Sequence, residues 1–278
     1  MNDNYIHSDS RLIYVNENIP GPAEDTEEYL ELINNFNSQL VCKCECRGHC
    51  VDAGCLCINS SRGRNYTFSI DHNLRTYKLN CNNNNINQKP VFECNDVCLC
   101  ISHCGNRLVQ KGPCDGLSVK SCELEEKGFG LFTKYLIAKG SFVCEYAGEL
   151  ITKSQAFQRH RLNVANKKIN YIFCLNEHSN DEITQTFVDP SSFGNIGRYI
   201  NHSCDPNCYI VPVRINSPIP KLAIFSLCDI LPDQEITIDY GSNNCSYSQQ
   251  EINDVDCKRK KCLCNTNKCK GMLPYESF

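Results

Sequence analysis

Two short segments of the chain contain a cysteine every few residues. Residues 44–57 read CECRGHCVDAGCLC, and residues 94–104 read CNDVCLCISHC. The whole chain has 23 cysteines in 278 residues, a density that would indicate a disulfide scaffold in a short secreted protein. The N-terminus, however, lacks the basic start and apolar stretch of a secretory signal, and an odd number of cysteines fits complete pairing poorly. We therefore expect reduced thiolates that bind zinc.

The two arrays together match the ligand demand of three zinc ions. Three tetrahedral ions need twelve ligand positions, and nine thiolates supply them when three of the thiolates each bridge two ions. Such a site has no open coordination position, which favours a structural role. Several independent zinc knuckles are the alternative, although the C-x-C pairs are tight for separate sites. The nine predicted ligands are Cys44, Cys46, Cys50, Cys55, Cys57, Cys94, Cys98, Cys100 and Cys104.

A third cysteine group, CLCNTNKC at 262–269, offers only three thiolates. A tetrahedral zinc then needs a fourth ligand, and Cys204 in RYINHSCDPNC (198–208) is the candidate. A cysteine protease is another interpretation of Cys204 beside Asn201 and His202. However, side chains so close in sequence cannot easily adopt the hydrogen-bonded geometry that a catalytic triad requires. The second predicted zinc site is Cys204, Cys262, Cys264 and Cys269, whereas Cys42, Cys81 and Cys114 are predicted to be free thiols.

Residues 115–241 read as many short strands. Apolar runs such as KLAIFSL and EITIDY alternate with Gly, Asn and Pro. A helix is predicted at 153–168, where Ala156, Phe157 and Leu162 form a weak apolar stripe that we expect to pack on the core. The segment CNNNNINQK at 81–89 reads as a loop, and no apolar run is long enough to predict a membrane span. The chain is thus expected to be mostly β, with few short helices.

The first 41 residues carry an excess of negative charge. They contain eight acidic side chains against Arg11 alone, whereas the whole chain has a formal net charge of −4. A block of like charge is typical of a solvated arm. Within this arm, the stretch DTEEYLELINNF predicts a short amphipathic helix from Thr26.

Five further motifs, together with the cysteine arrays, resemble the SET-domain protein lysine methyltransferases that have pre-SET and post-SET zinc modules. The motifs are GFGLFT (128–133), EYAGE (145–149), NYIF (170–173), RYINHSCDPN (198–207) and EITIDYG (235–241). The resemblance covers residues 42–278 and implies a SET-domain β-fold of small sheets with knot-like C-terminal threading. It implies a pre-SET module at 42–114, a SET domain at 115–241, a linker at 242–256 and a post-SET module at 257–278, after the acidic arm at 1–41 that the charge indicates.

Within the family, a closer likeness is to the SET half of a SET–transposase fusion. The stretches that carry it are VFECN, SFVCEYAGE, TFVDP, GNIGRYINHSC and VPVRI. The transposase half has no counterpart in these 278 residues, so its DNA-end functions are not expected here.

The resemblance implies methyl transfer from S-adenosylmethionine to a lysine ε-amine. The lysine must arrive neutral, and a dry channel beside a positive sulfonium favours that form. Tyr240, Tyr146 and Tyr171 match the active-site tyrosines of the family; Tyr240 is expected to stay protonated and to position the amine and the methyl group. Lys127, Gly128, Phe129 and Gly130 match the cofactor loop, whose glycines let the backbone approach a ligand closely. The other implied cofactor contacts are Tyr171, Arg198, Asn201 and His202, the last as a contact rather than a base.

One residue departs from the family pattern. Ile238 lies two residues before Tyr240, where the family usually has Phe or Tyr. An aliphatic side chain offers no hydroxyl to hold a water molecule, so we expect dimethylation or trimethylation to be more accessible than strict monomethylation.

The expected substrate is a basic peptide. Thirteen thiolates with four zinc ions would move the formal charge from −4 to about −9, which suits a basic tail better than nucleic acid. The resemblance implies the tail of histone H3, at its ninth or thirty-sixth lysine, or a non-histone protein, and hence a nuclear, chromosomal location. A catalytically silent module that binds histone tails is the alternative. A DNA-binding zinc protein would need a basic face and finger-type spacing, so direct DNA binding is not indicated.

Overall fold

The computed structural model describes residues 11–50, 54–71, 74–80, 89–179, 182–241 and 260–274. The predicted linker at 242–256, Cys81 and all but the last residue of the predicted loop at 81–89 lie outside the described residues. In the described part, the helices are α1 (Glu27–Asn37), α2 (Leu56–Ser60) and α3 (Lys153–Ala165), with short 3₁₀ helices at Val109–Lys111, Glu125–Lys127 and Ile196–Tyr199.

The strands of the described residues are mostly short. In chain order they are β1 (Ile13–Tyr14), β2 (Ile19–Pro20), β3 (Tyr66–Asp71), β4 (Leu74–Leu79), β5 (Val91–Phe92), β6 (Leu117–Ser121), β7 (Phe129–Thr133), β8 (Phe142–Tyr146), β9 (Gly148–Ile151), β10 (Phe173–Ser179), β11 (Glu182–Gly194), β12 (Asn201–His202), β13 (Cys208–Arg214), β14 (Lys221–Ser226) and β15 (Glu235–Ile238).

These strands form several small sheets. One has the order β1-β11-β9-β2, with β10 pairing β11; a second has the order β12-β15-β7-β6; a third has the order β5-β13-β14-β8; and β3 pairs with β4. In the second sheet, the late strand β15 lies between β7 and β12, parallel to β12 and antiparallel to β7. The expected fold, mostly β with few short helices, is confirmed for the described residues.

The main core lies where the sheets pack together. Strand β8 is buried throughout because the sequence FVCEY is covered on both sides, and β14 contributes Leu222 and Ile224. Leu131 on β7 and Ile236 on β15 pack into the same core, which fixes the sheet that carries the EITIDYG motif. No helix in the described part of the chain is both long and apolar enough to cross a bilayer.

Within the acidic N-terminal segment, residues 11–41 pack on the sheets, which differs from the solvated arm expected there. Strands β1 and β2 pair in parallel with β11 and β9. Helix α1 begins at the predicted place, since the Thr26 hydroxyl accepts a hydrogen bond from the Tyr29 amide. Leu32 and Phe36 of α1 pack against the main core. Apolar residues interleaved with the acids therefore anchor this segment.

Helix α3 is present where it was predicted, but its apolar stripe does not pack as expected. Ala156 is buried, whereas Phe157 and Leu162 are 40% and 55% exposed. The helix is held instead by the guanidinium of Arg159, which donates to the carboxylates of Glu149 (2.8 Å) and Asp189 (2.6 Å) on β9 and β11. Thr152 and Gln155 form a capping box at its start.

Candidate active site and zinc clusters

A cavity of about 700 Å³ opens between the start of β7, the segment that leads into β10, and the C-terminal residues 260–274. The three predicted catalytic tyrosines and all but one of the predicted cofactor contacts line this cavity. The exception is Gly130, whose Cβ position would lie 2.7 Å from Glu235 Oε1 and 2.9 Å from Cys122 Sγ. The glycine at 130 is therefore needed for packing beneath the loop.

Two of the three predicted catalytic tyrosines are fixed by backbone carbonyls. The Tyr146 hydroxyl donates to the carbonyl oxygen of Tyr171 at 2.5 Å, and the Tyr240 hydroxyl donates to that of Ile200 at 2.8 Å. Burial, and then the proximity of Tyr240, raises the pKa of Tyr146 well above its usual value. Tyr146 is thus a neutral phenol. The Arg198 guanidinium lies 4.3 Å from the centroid of the Tyr171 ring, which holds that ring at the cavity wall.

His202 connects the cavity to the C-terminal cysteines. Its Nδ1 accepts a hydrogen bond from the Tyr240 amide at 3.2 Å, and its Nε2 lies 3.3 Å from the sulfur of Cys204. Burial lowers the pKa of His202, so the neutral ring is favoured. A neutral ring with its proton on Nε2 satisfies both contacts at once. Both ring nitrogens are thus engaged within the protein, and a role for His202 as a contact rather than a base stays a prediction.

The cofactor-loop residues are joined to Asn201 by a carboxylate that the motif analysis did not single out. Glu235 accepts from Lys127 Nζ at 2.5 Å and from Asn201 Nδ2 at 2.8 Å. Asn201 also donates to the carbonyl of Phe129 at 3.0 Å. Glu235 stands within EITIDYG, so the motif contained the signal, but its role depends on residues more than thirty positions away.

At Gly128, the cavity has room for a ligand to contact the protein backbone directly. Gly128 has φ +72, and a Cβ built there would meet no atom within 4 Å. The glycine therefore leaves open space at the cavity wall. Ile238 also lines the cavity, as do Lys260, Lys261 and Leu263 from the C-terminal segment, which sequence reasoning had not named as site residues.

All nine cysteines of the two N-terminal arrays lie in one cluster. Measured Sγ–Sγ distances are 3.7 Å for Cys44–Cys50, 3.9 Å for Cys44–Cys94 and 3.5 Å for Cys57–Cys98. Tetrahedral coordination with Zn–S bonds of about 2.3 Å requires about 3.8 Å, whereas a disulfide requires about 2.0 Å. The thiols therefore fit zinc. Several overlapping groups of four cysteines share Cys44, so this sulfur lies close enough to serve more than one ion.

The four cysteines of the second predicted site also converge. The sulfur atoms of Cys204, Cys262, Cys264 and Cys269 lie within 4.8 Å of one another, with Cys204 and Cys262 at 3.7 Å. This set joins the segment 260–274 to the strand that carries His202. Among the described residues, Cys42 and Cys114 are free and belong to neither cluster.

Comparison with known proteins identifies the family. Residues 128–241 match the protein-family model described as SET domain. The "Probable histone-lysine N-methyltransferase set-23" of Caenorhabditis elegans is 36% identical over 267 residues, which cover 95% of this chain and 96% of that protein. The chain belongs to the SET-domain family of histone-lysine N-methyltransferases. The resemblance inferred from the five motifs is confirmed.

The closer likeness expected from the sequence, to the SET half of the SET–transposase fusion SETMAR, is confirmed in sequence and in fold. "Histone-lysine N-methyltransferase SETMAR" of Rattus norvegicus is 48% identical over 193 residues, which cover 68% of this chain but 60% of that protein. The methyltransferase domain of human SETMAR superposes with a TM-score of 0.74 at 36% identity, covering 95% of this chain and 89% of that one. The chain therefore matches about three fifths of the rat SETMAR protein, and no transposase is implied.

Solved SET-family structures also include one with a ligand and a peptide. KRYPTONITE in complex with mCHH DNA, H3(1-15) peptide and SAH has a TM-score of 0.70 and 26% identity, covering 97% of this chain and 49% of that chain. In that structure the shared fold is therefore seen together with DNA, an H3 peptide and SAH.

Proposed function

We propose that the chain is an S-adenosylmethionine-dependent protein-lysine N-methyltransferase. The observation that carries the proposal is the anchoring of Tyr146 and Tyr240 by two backbone carbonyls at the wall of one cavity. Fixed aromatic walls orient an amine and exclude water, which is what transfer to a neutral lysine needs. Membership in the SET-domain family supports the same reaction.

The cofactor would occupy the cavity beside Lys127, Gly128 and Phe129, with Asn201 and His202 lining the same cavity. When bound, S-adenosylmethionine supplies an electrophilic methyl group. Gly128 leaves open space against the backbone, and Asn201 is held in place by Glu235. His202, neutral and engaged at both nitrogens, would contact the ligand without moving a proton.

The tyrosines would act by position. Tyr146 remains protonated because its pKa is raised. Its hydroxyl proton is donated to the Tyr171 carbonyl, so the hydroxyl oxygen can act toward the substrate only as a hydrogen-bond acceptor. Tyr240 would place the lysine amine in the same way, and Arg198 would hold the Tyr171 ring. Ile238, buried at the cavity wall, offers no hydroxyl there, and we propose dimethyl or trimethyl products.

The zinc modules would be structural. We propose three ions on the nine cysteines of residues 42–114 and a fourth on the Cys204 set, which joins the post-SET segment 257–278 to the SET domain at 115–241. The sulfur spacing supports zinc at both places. The second site would hold Leu263 and Lys261 over the cofactor cavity.

The substrate would be a histone tail. KRYPTONITE binds an H3 peptide, and we propose that this chain acts on a lysine of histone H3 in the nucleus, at chromatin. A non-histone basic peptide is the other substrate class that the same site fits.

The test is methyl transfer from labelled S-adenosylmethionine to core histones, with Tyr240→Phe and Tyr135→Phe compared with the wild type. We expect label on histone H3, about a 10²-fold loss in Tyr240→Phe, because a small misplacement of the amine costs that much, and no loss in the exposed Tyr135→Phe. Label on a protein other than histone H3 would contradict the proposed substrate and leave the proposed reaction standing. A zinc-loaded chain that binds cofactor but labels no protein would refute the enzyme and favour a silent histone-binding module.

A further inference from the structure

The acidic N-terminal segment has no part in the proposed chemistry, yet it contacts the motif that carries Tyr146. We define the N-terminal strap as residues 12–22. Its strands β1 and β2 pair in parallel with β11 and β9 of one sheet. Two further backbone bonds extend these pairings, from the Val15 amide to the Gly194 carbonyl (3.1 Å) and from the Gly21 amide to the Leu150 carbonyl (2.8 Å). The strap thus flanks the β11–β9 pair on both sides, and β2 lies beside the part of EYAGE that belongs to β9.

Between its two strands, the strap inserts one side chain into this sheet. Asn18 is 9% exposed, and its Oδ1 accepts the backbone N–H of Gly148 at 3.1 Å. Gly148 is a constrained position, because the pairing of β9 with β11 shifts register there. A Cβ at Gly148 would lie 2.7 Å from the backbone of Asp189. The acceptor for its amide must therefore come from elsewhere, and Asn18 supplies it.

A second asparagine holds the peptide groups nearer to Tyr146. Asn195 Oδ1 accepts the Ala147 amide at 3.3 Å, and Asn195 Nδ2 donates to the Glu145 carbonyl at 2.8 Å. Two consecutive amides after Tyr146 are thus bonded by side chains from different parts of the fold. The ammonium of Lys221 adds a further tie, since it contacts the carboxylates of Glu17 in the strap and Glu145 beside the tyrosine.

We infer that Asn18 is a positioning residue for Tyr146 and that the strap sets the geometry of the lysine site. The inference rests on the proposed methyltransferase function. Asn18 is not among the residues that line the cavity. It acts through the Gly148 amide on the backbone from which Tyr146 projects, so its loss changes the rate of transfer rather than the affinity for cofactor.

The experiment compares the full-length wild type with Asn18→Leu, Asn18→Asp and the exposed control Asn16→Leu. Leucine keeps the approximate size and removes the acceptor, whereas aspartate keeps an acceptor oxygen. We expect kcat per cofactor-binding chain to fall about tenfold in Asn18→Leu, equivalent to about 1.4 kcal/mol. We expect retention within about threefold in Asn18→Asp and no change in Asn16→Leu. Affinity for S-adenosylhomocysteine, measured by calorimetry, stays within about twofold in every variant.

A kcat for Asn18→Leu equal to that of the wild type overturns the inference. An equal loss of kcat in Asn18→Leu and Asn18→Asp also overturns it, because that result would mean that Asn18 acts through packing and not through its acceptor oxygen. If Asn18→Leu does not fold, Asn18→Ala takes its place, with hydrogen exchange of a peptide spanning 143–150 as a second readout; unchanged exchange there refutes the contact. A wild type that transfers no methyl group refutes the proposed function, whereas an active wild type with unaffected variants refutes only the role of Asn18.

Discussion

Glu235 joins two parts of the proposed cofactor site that are distant in sequence. One of its oxygens accepts from Lys127 and the other from Asn201, so one carboxylate sets the distance between the loop and the Asn–His segment. The side chains of Lys127 and Glu235 are only 14% and 20% exposed, so water screens the pair little. Removing the negative charge leaves the Lys127 ammonium against a neutral group, which is costly at this depth.

We therefore predict that Glu235→Gln raises the KM for S-adenosylmethionine about tenfold and changes kcat by less than about threefold. The amide still fills the space but cannot accept from both donors. Asp233→Asn is the matched control, because Asp233 pairs with Lys120 at 76% and 42% exposure, where water screens the interaction between the two charges. Asparagine also tolerates the φ of +62 at this position. Steady-state kinetics decide the matter; equal KM values in the two variants would contradict the role of Glu235.

At the scale of elements, helix α1 docks on helix α3 by one carboxylate. Glu28 accepts from the backbone amide of Lys153 at 2.5 Å and from the hydroxyl of Ser154 at 2.7 Å, both in the first turn of α3. An anion at a helix N-terminus satisfies exposed amides and the positive end of the helix dipole. The strap contributes here too, since Gln155 donates to the Pro22 carbonyl. The N-terminal segment thus fixes the start of α3.

Glu28→Gln is expected to destabilise the protein by about 1 kcal/mol, the usual contribution of a capping contact. In a protein of this size, that loss lowers Tm by about 2–4 °C. The control is Glu31→Gln on the exposed side of the same helix, which should leave Tm within about 1 °C. Differential scanning calorimetry measures both variants. An equal Tm for Glu28→Gln and Glu31→Gln would mean that the contact contributes nothing.

The sequence predicts these elements to the extent that their determinants are local. The start of α1 follows from the Thr26 cap, and α3 begins after the Thr152 capping box. The docking of α3 through Arg159 could not be read from periodicity, because its partners Glu149 and Asp189 lie on two other elements. Phe157 and Leu162 were misassigned to the core for the same reason.

The candidate site divides in the same way. Tyr146, Tyr240, Asn201 and His202 stand in recognisable motifs, and the structure gathers them at one cavity as the resemblance implied. Asn18 belongs to no motif, and its contact spans 130 positions of the chain. Parallel pairing of two-residue strands leaves no alternating pattern to detect. The position of the strap therefore became evident only from the structure.

At the scale of the whole molecule, the two cysteine clusters differ in their protection from solvent. Eight of the nine cysteines in the N-terminal cluster are buried. In the C-terminal cluster, Cys269 is exposed, and Cys204 and Cys264 are half-buried. With zinc bound as proposed, the N-terminal cluster would support the fold of its own region, whereas the C-terminal cluster would hold residues 260–274 over the cavity. Because zinc binding supplies folding free energy to such segments, the two clusters should fail separately.

We predict that a zinc chelator at rising concentration abolishes methyl transfer before it unfolds the protein. The exposed C-terminal site should release its ion first, opening the wall formed by Lys261 and Leu263 and weakening cofactor binding. Released zinc, read with a colorimetric dye, should reach about one ion per chain when activity is lost, while the circular dichroism of the sheets is unchanged.

A single substitution separates this effect from general damage by the chelator. Cys269→Ser should lower the zinc content by about one ion and reduce activity at least tenfold, with the main thermal transition within about 2 °C of the wild type. Cys228→Ser, at an exposed cysteine outside both clusters, should alter neither. His202 contacts both Cys204 and the Tyr240 backbone. Loss of the C-terminal ion should therefore disturb the position of Tyr240 as well as the binding of the cofactor. A Cys269→Ser variant with full zinc content and full activity would show that the C-terminal thiols do not hold the cavity closed.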